Sequence, residues 1–229
     1  MKKSNTVEFQ VQGEYALFTN PISRLGGEKF SYKIPTYEAI KGILKRIYWK
    51  PTIIWYIDEI RVMNQIKTET TGVRVPKYNN MEKSDLSYYT YLRDCCYQVR
   101  AHFEWNMNRE NLRADRDAKK HLAIAKRKIK KGANLDVFLG SLECEAFVSP
   151  CRFGEGPGYY DDIERKEFGM MYQSYTYPDE AYSEETKGKL TRNYWDPVMK
   201  KGIITYPRPS ECTHETIKEM PLKKFGIMS

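Results

Sequence analysis

A lysine and a histidine stand next to each other in the most basic stretch of the chain. Lys120 and His121 lie between Arg109 and Lys131, a segment with ten basic and three acidic residues. Positive neighbours disfavour protonation of an imidazole, so a neutral His121 can accept a proton near pH 7. Lys120 can stabilise the negative charge that develops on a phosphate under attack. The pair predicts acid–base chemistry on a phosphate, although a histidine that borders an apolar stripe can equally be a packing residue.

A tyrosine is the third candidate for chemistry. Tyr48 follows Lys41 and Lys45 by seven and three residues, which predicts that two ammonium groups lie beside its phenol and lower its pKa. RNA carries its own nucleophile, because a base that deprotonates the 2′-hydroxyl lets that oxygen attack the adjacent phosphorus. The products are a 2′,3′-cyclic phosphate and a 5′-hydroxyl, and no metal is needed. This chemistry suits a chain that holds a tyrosine, a lysine and a histidine such as Tyr48, Lys120 and His121, in which either Tyr48 or His121 is the candidate general base.

Metal chemistry has little support in the sequence. The adjacent pairs Asp58-Glu59 and Asp161-Asp162 would point to opposite faces of a strand, which makes them poor two-metal sites. The five cysteines include no C-x-x-C pair and stand at no zinc-ligand spacing from a histidine. We expect no metal, no other cofactor, and reduced, mostly buried thiols in the cytoplasm.

The net charge predicts a polyanionic partner. It is +8, with a pI of about 9.1, and the segment that holds the lysine–histidine pair carries an excess almost as large. No apolar run approaches the roughly 18 residues of a membrane span, and the start of the chain lacks the apolar region of a signal peptide. Nucleic acid is therefore the expected partner, and a membrane is not. The predicted RNA-binding residues are Lys41, Lys45, Arg116, Lys119, Lys126, Arg127, Lys128, Lys130 and Lys131.

The elements that must position these residues begin with a strand over residues 7–18, in which apolar and polar residues alternate. Turn-forming residues predict a loop over 19–35. Thr36 is a typical N-cap for a first helix, and Pro51 requires that helix to end near Tyr48. One face of the helix carries the apolar residues Ile40, Ile43, Leu44 and Ile47.

The middle of the chain contains two strand patterns. Residues 52–63 are rich in isoleucine and aromatic residues, which indicates a buried strand, and 94–106 alternate strictly between apolar and polar. Between them, residues 64–90 are polar and predict irregular structure.

A second helix follows. Asp115 or Asp117 is its expected N-cap and Gly132 its end, and further strands are predicted near 136–139 and 143–149. Its expected apolar stripe is Ala118, Leu122, Ala125 and Ile129.

The order strand, helix, strand, strand, helix, strand is that of a ferredoxin-like or RNA-recognition fold. We therefore predict an α+β protein with a ferredoxin-like domain over residues 1–150. Residues 151–229 are expected to form a smaller domain of antiparallel β-sheet, with strands at 168–177 and 202–206.

Several stretches, taken together, match a known family over nearly the whole chain. They are GEYALFTNP, GGEKFSYKIPTYEAIKGI, IYWKPT, YTYLRD, KKHLAIAKR, DVFLGSLECEAFV and TYPRPSEC. The chain resembles the d-type CRISPR-associated family-five proteins, which are repeat-associated (RAMP) endoribonucleases of subtype I-C. Their fold is a ferredoxin-like domain followed by a β-rich part, which agrees with the pattern of elements above.

The resemblance implies a function. Such proteins cut precursor CRISPR RNA at the base of each repeat hairpin and are thought to stay on the 5′ handle, beside the backbone and large subunits of a surveillance complex. Their active site uses a tyrosine at the end of the first helix and a consecutive lysine and histidine, which fall here on Tyr48, Lys120 and His121. Relatives often carry Gly-Arg-Arg where this chain has Ala133-Asn134-Leu135, so two potential phosphate contacts are missing.

Two other functions fit part of the pattern. A subunit of the same kind could bind the RNA 5′ handle without cutting it, but the presence of all three candidate residues favours an enzyme. A non-specific, metal-dependent DNase would need a carboxylate cluster, which the sequence does not offer in a convincing form.

Overall fold

The computed structural model describes residues 5–19, 28–77 and 80–222. Within these residues the α-helices are α1 (Tyr37–Ile47) and α2 (Ala118–Lys130). The strands are β1 (Thr6–Ala16), β2 (Lys29–Phe30), β3 (Ile53–Val62), β4 (Lys67–Lys77), β5 (Asn80–Trp105), β6 (Val137–Phe138), β7 (Glu145–Pro150), β8 (Lys166–Glu167), β9 (Met171–Thr176), β10 (Lys189–Trp195), β11 (Val198–Lys200), β12 (Ile203–Thr205) and β13 (Thr213–Glu219).

Most of the strands belong to one large sheet. Its order is β6-β7-β1-β5-β3-β12-β11-β8, and β2 and β4 pair with other parts of β5. Neighbours in this order are antiparallel, whereas β2 runs parallel to β5. A small second sheet has the order β13-β10-β9. The predicted α+β class, with mostly antiparallel strands and few helices, is confirmed.

The residues after 150 contribute to both sheets. β9, β10 and β13 form the small sheet, while β8, β11 and β12 extend the large one, where Ile204 of β12 pairs with Ile60 of β3. The strands expected at 168–177 and 202–206 are present as β9 and β12. The division of the chain at residue 150 stays a prediction, and strands from both sides of it share the large sheet.

Helix α1 forms where the sequence predicts it. The backbone N–H of Ala39 donates to Oγ1 of Thr36 (3.2 Å), which caps the helix. Its apolar face is fully buried, as Ile40 and Leu44 show. The chain leaves the helix at Tyr48 in an extended conformation (φ −160°), and the indole N–H of Trp55 donates to the Tyr48 carbonyl (2.8 Å). These bonds fix the direction of the Tyr48 side chain.

The prediction of irregular structure over residues 64–90 is wrong. Strand β4 and the first half of β5 pair from Lys67 to Lys77, and β5 continues without a break for 26 residues. The pattern misled because most side chains described in this hairpin are exposed or half-buried, including the exposed Leu86 and Tyr88. A strand without a continuous apolar face against the core needs no strict apolar alternation. Of the predicted loop at 19–35, residues 20–27 lie outside the described part of the chain.

Helix α2 begins and ends as expected but buries a different stripe. Asp117 is the N-cap, since its Oδ1 accepts from the backbone N–H of Lys120 (3.1 Å), and the left-handed Gly132 (φ +84°) follows its end. The buried residues of the helix are His121, Ala125 and Ile129. Ala118 and Leu122, which were expected on this stripe, are only half-buried. His121 takes their place in the core.

A β-bulge corrects the expected orientation of one acidic pair. Opposite β5, Ile57 pairs with Ala101 and Glu59 with Arg100, so Asp58 is an extra residue on its strand. Its carboxylate reaches His102 (2.9 Å), while that of Glu59 reaches Arg100 (2.5 Å). Arg100 and His102 are two residues apart on β5, so Asp58 and Glu59 lie on the same face and not on opposite faces. Both are occupied by cationic or imidazole partners.

The cysteines of the chain are unpaired, as predicted. Cys95, Cys144 and Cys212 are buried, and burial raises the pKa of Cys95 to about 11 and that of Cys212 to about 12. These thiols are therefore protonated and unreactive near neutral pH. In the described part of the chain, no helix combines the length and apolar character needed to cross a membrane.

Candidate active site

The phenol of Tyr48 and the imidazole of His121 are joined by a hydrogen bond. The distance between the Tyr48 hydroxyl and Nδ1 of His121 is 2.7 Å, and Nε2 lies 2.7 Å from the backbone oxygen of Asp115. A carbonyl can only accept, so Nε2 carries the hydrogen. In the neutral ring Nδ1 is then an acceptor, and the Tyr48 hydroxyl donates to it. The surroundings thus fix one tautomer, in which His121 is ready to take the proton of Tyr48.

The imidazole is held from all sides. Its ring is fully buried. It packs edge-on against two aromatic rings of β5, with centroid distances of 6.1 Å to Phe103 and 5.7 Å to Trp105. Tyr48 is 9% exposed and His121 is 0% exposed, so only Tyr48 of the two reaches the surface. A substrate that arrives from solvent can therefore contact Tyr48 but not the fully buried imidazole of His121.

Asp115 connects the members of the site. Its Oδ1 accepts from Nζ of Lys120 (2.6 Å), and its Oδ2 accepts from the hydroxyl of Thr52 (2.9 Å). The same carboxylate lies 3.6 Å from Nε2 of His121, whose hydrogen the Asp115 carbonyl accepts. One residue therefore sets the imidazole tautomer and holds the ammonium group of Lys120 beside the phenol of Tyr48.

These contacts shift the pKa values of the site. The hydrogen bond from Lys120 holds the pKa of the Asp115 carboxyl below its usual range, and Asp115 raises the pKa of Lys120 in return. Burial raises the pKa of the Tyr48 phenol, Asp115 raises it further and Lys120 opposes them. Tyr48 is thus a neutral phenol in the free protein, and it needs a proton acceptor such as Nδ1 of His121 to act as a base.

Two lysines do not lie where the sequence suggested. The ammonium of Lys41 is buried in an ion pair with Glu180, and Lys45 lies 3.8 Å from the same carboxylate. Lys120, and not Lys41 or Lys45, is the cation that acts on the pKa of Tyr48. Lys41 is only 3% exposed and presents little of its charge to a ligand, and its predicted role as a phosphate contact stays a prediction. Lys45 is 35% exposed and keeps partial access to solvent.

Arg116 is also engaged within the protein. Its Nη2 donates to the backbone oxygens of Asn106 and Arg109 and to the carboxylate of Glu110, and its side chain is 12% exposed. It braces the turn before α2 and presents little of its charge to a ligand. Its predicted role in RNA binding does not fit this position.

The outer face of α2 carries most of the predicted RNA-binding residues. Lys128 is half-buried and donates to the side chain of Asn134. The others are exposed on the same helix or directly after it, namely Lys119, Lys126, Arg127, Lys130 and Lys131. We call these six residues the α2 basic face.

Sequence reasoning missed Asp115 and Thr52 as parts of the site. Asp115 entered only as a possible helix cap, and Thr52 only as the start of a strand. The one available signal was that Asp115 stands six residues before His121, at the entrance to the helix. Within the described residues, no group of three or more histidine, cysteine, aspartate or glutamate side chains is arranged to hold a metal ion.

The relation of this chain to known proteins agrees with its fold. The family model for Cas5d, described as a CRISPR-associated protein (Cas_Cas5), matches residues 6–207. The chain belongs to the Cas5d family of CRISPR-associated proteins. The match includes both helices and the site built from Tyr48, Lys120 and His121.

Solved structures and curated relatives of this Cas5d-family chain are similar over most of its length. A structure described as a CRISPR-associated protein has a TM-score of 0.78 at 36% identity and covers 94% of this chain and 99% of its own. The structure of a functionally uncharacterized protein from Streptococcus mutans has a TM-score of 0.76 at 37% identity. The match covers 94% of this chain and 100% of that protein.

Two curated relatives carry the name CRISPR pre-crRNA endoribonuclease Cas5d. The one from Mannheimia succiniciproducens is 29% identical over 232 residues, which span 89% of this chain and 96% of the relative. The one from Thermus thermophilus is 28% identical over 157 residues, 63% of each chain.

Proposed function

We propose that this protein is an endoribonuclease that processes precursor CRISPR RNA, cutting at the base of the repeat hairpin without a metal ion. The names of its curated relatives support precursor CRISPR RNA as the substrate. The observation that carries the chemistry is the hydrogen-bond chain from the Tyr48 hydroxyl through the His121 imidazole to the Asp115 carbonyl. It gives the largely buried phenol of Tyr48 an acceptor for its proton.

Tyr48 acts first on the RNA. Its oxygen takes the proton of the 2′-hydroxyl while its own proton passes to Nδ1 of His121. The ring becomes an imidazolium whose Nε2–H stays on the Asp115 carbonyl, and the Asp115 carboxylate 3.6 Å away stabilises the new charge. The 2′-oxygen then attacks the adjacent phosphorus, which forms the cyclic phosphate and releases the 5′-oxygen.

Lys120 is suited to stabilise the negative charge on the phosphorane. Its side chain is 50% exposed and its Nζ is held by Asp115 on the solvent side of the site. A phosphate that enters would compete with Asp115 for the same ammonium group, because both present anionic oxygens. The departing 5′-oxygen takes its proton from Lys120 or from water.

The α2 basic face is suited to the RNA backbone. Its cations lie on the helix that begins with Lys120 and His121, so phosphates bound along it lead towards the catalytic residues. The strand order β7-β1-β5-β3, with α1 between β1 and β3 and α2 between β5 and β7, supports a ferredoxin-like assignment for this part. We propose that the protein then stays on the 5′ handle, beside the backbone and large subunits of a type I-C surveillance complex.

The experiment is a cleavage assay in EDTA on a repeat hairpin RNA, with and without one 2′-deoxy substitution at the scissile nucleotide. We expect cutting of the all-RNA hairpin to persist in EDTA and to disappear with the deoxy substitution. Tyr48→Phe should slow cutting by about 10²–10⁴-fold, the usual contribution of general acid–base catalysis.

A matched control is Tyr159→Phe, because Tyr159 is exposed and lies outside the site. It should cut at the wild-type rate. Tight binding without cutting by the wild-type protein would instead indicate a non-catalytic subunit that binds the 5′ handle. Cutting that requires an added metal ion, or that acts equally on DNA, would indicate a metal-dependent nuclease and contradict the proposed site.

A further inference from the structure

A cavity of about 520 Å³ lies beside α1, where Gly42 and Arg46 line it. Phe138 of β6 and the loop after it also line the cavity, as do Tyr172 and Tyr175 of β9. Gly42, in the middle of α1, leaves its floor open, since a Cβ atom there would meet nothing within 4 Å. The volume is ample for a nucleobase with its ribose.

The walls offer flat surfaces and positive charge. The guanidinium of Arg46 stacks on the ring of Phe138 (4.9 Å) and donates to the Asp136 carbonyl (2.7 Å), so its plane is fixed at the edge of the cavity. Lys29 lines the cavity as well. Unstacked RNA bases bind on aromatic rings and on arginine planes, while cations at the rim hold the phosphates.

One side chain of the cavity has unmet hydrogen-bonding capacity. Glu38 lines it, and its Oε2 is shielded from water yet accepts no hydrogen bond from the described residues. An ionised carboxylate can only accept, so a ligand that satisfies it must bring donors. The terminal torsion of glutamate turns within a broad range, so the carboxylate can turn on binding and present both oxygens to a ligand.

We propose that this cavity takes a guanine base of the bound RNA, turned out of the strand, with Glu38 accepting hydrogen bonds from the N1–H and the exocyclic N2 amino group. Guanine presents these two donors side by side, and two carboxylate oxygens match them. Adenine and cytosine offer one exocyclic amino group on that edge, and uracil one ring N–H. The inference rests on the proposed function, because it takes RNA as the ligand.

The test uses labelled hexauridine in which one central base is replaced by guanine, inosine, adenine or cytosine, and measures binding by fluorescence anisotropy at low salt. The wild-type protein should bind the guanine oligomer about tenfold more tightly than hexauridine. Inosine, which lacks the N2 amino group, should fall between them. Glu38→Gln should abolish the preference for guanine over inosine, because an amide offers only one acceptor oxygen.

A second variant blocks the cavity itself. Gly42→Phe projects a ring into the open floor, and phenylalanine is a better helix former than glycine, so α1 is retained. It should bind all the oligomers as weakly as hexauridine. Glu184→Gln, at a side chain that is 89% exposed, is the matched control and should behave as the wild type.

Unchanged guanine preference in both variants, or no preference in the wild-type protein, would overturn the inference. The second result would also fit a cavity that takes a peptide segment of a partner. Either result leaves the proposed function standing if the wild-type protein still cuts the repeat hairpin in EDTA. If the wild-type protein did not cut the hairpin but still preferred guanine, the proposed catalysis would be wrong and the proposed base site would stand.

Discussion

Two buried histidines lie on the two faces of strand β5, and their partners differ in kind. His121, against the helix-covered face, meets a phenol at Nδ1 and a backbone carbonyl at Nε2. His102, on the other face, meets the carboxylates of Asp58 (2.9 Å) and Glu104 (3.3 Å). Both rings are nearly inaccessible to solvent, with exposures of 0% and 2%.

The difference in partners assigns different roles. Carboxylates accept, so the imidazole of His102 matches both of them when each ring nitrogen carries a hydrogen. It is stacked on Tyr56 (5.5 Å), whose ring also carries the guanidinium of Arg208 (4.9 Å). This arrangement ties a strand to the C-terminal segment. His121 has one partner that can give up a proton, and that partner reaches the surface. Burial is the same for both rings, and the chemistry of the neighbours decides which one can take part in a reaction.

The largest expected effect is on the cleavage rate, and it distinguishes His121 from His102. His121→Ala should lower the single-turnover cleavage rate by about 10²–10⁴-fold, because the proton of Tyr48 loses its acceptor. His102→Ala should leave the rate of the folded protein within a few-fold of wild type and lower stability by about 1–3 kcal/mol, because two carboxylates lose a donor. Cleavage kinetics and thermal melts on both variants measure the contrast.

Binding of an uncut 2′-deoxy hairpin is the control for both variants. If His121→Ala lost binding in proportion to cutting, His121 would be a structural residue and the contrast would disappear. If His102→Ala lost cutting while it stayed folded and bound RNA normally, the second histidine would belong to the active site.

A smaller effect is expected at Asp115. Asp115→Asn keeps the backbone carbonyl that fixes the His121 tautomer but removes the negative charge 3.6 Å from Nε2. We expect cleavage to slow about tenfold, which corresponds to about 1.4 kcal/mol of lost electrostatic stabilisation of the new imidazolium. Single-turnover cleavage kinetics on the variant and the wild-type protein measure the effect. An unchanged rate would mean that the charge of Asp115 takes no part in the reaction.

The smallest effect concerns the stability contributed by the His102 cluster. Although burial opposes it, hydrogen bonds from Arg208 and His102 lower the pKa of the Glu104 carboxyl. A folded-state pKa below the unfolded value of about 4.3 stabilises the protein above that pH, and the stabilisation is lost as the pH falls through the folded value.

Glu104→Gln should therefore cost about 1 kcal/mol or less at pH 7, since the side chain is 40% exposed. The cost should become smaller as the pH falls towards the folded-state pKa. Urea denaturation at pH 7 and at pH 3 measures it, with Glu184→Gln as the exposed control. A cost that is undiminished at pH 3 would show that the carboxylate charge is not what stabilises the cluster.

Much of the fold could be predicted from local patterns. Thr36 and Asp117 are side-chain caps, and Pro51 and Gly132 restrict the backbone, so the two helices begin and end where these residues require. The strict alternation at 94–106 likewise marks a strand with a covered face. Such signals act over a few residues and do not depend on distant parts of the chain.

The parts that could not be predicted depend on distant residues. The hairpin of β4 and β5 is held by pairing and not by a buried face, so its sequence carries no alternation. Lys41 lies on α1, yet its partner Glu180 stands 139 positions later, and no local pattern reveals a cation that is neutralised from so far away. Asp115 is similar, because its link to Thr52 crosses 63 positions. Lys120 and His121 stand out by residue type and spacing, and Tyr48 by the resemblance to the family. The order in which Tyr48 and His121 act is proposed from their hydrogen bonds and their burial in the structure.

The position of β3 in the large sheet has a consequence for synthesis on the ribosome. β3 ends at Val62, but its outer neighbour β12 begins only at Ile203. At about 5–20 residues per second, the ribosome needs roughly 7–28 s to make the chain between them. During that time β3 presents an open edge rich in isoleucine, a surface that invites pairing with other nascent chains. When β12 pairs with β3, it covers this edge. The yield of folded protein should therefore depend on how quickly translation reaches β12.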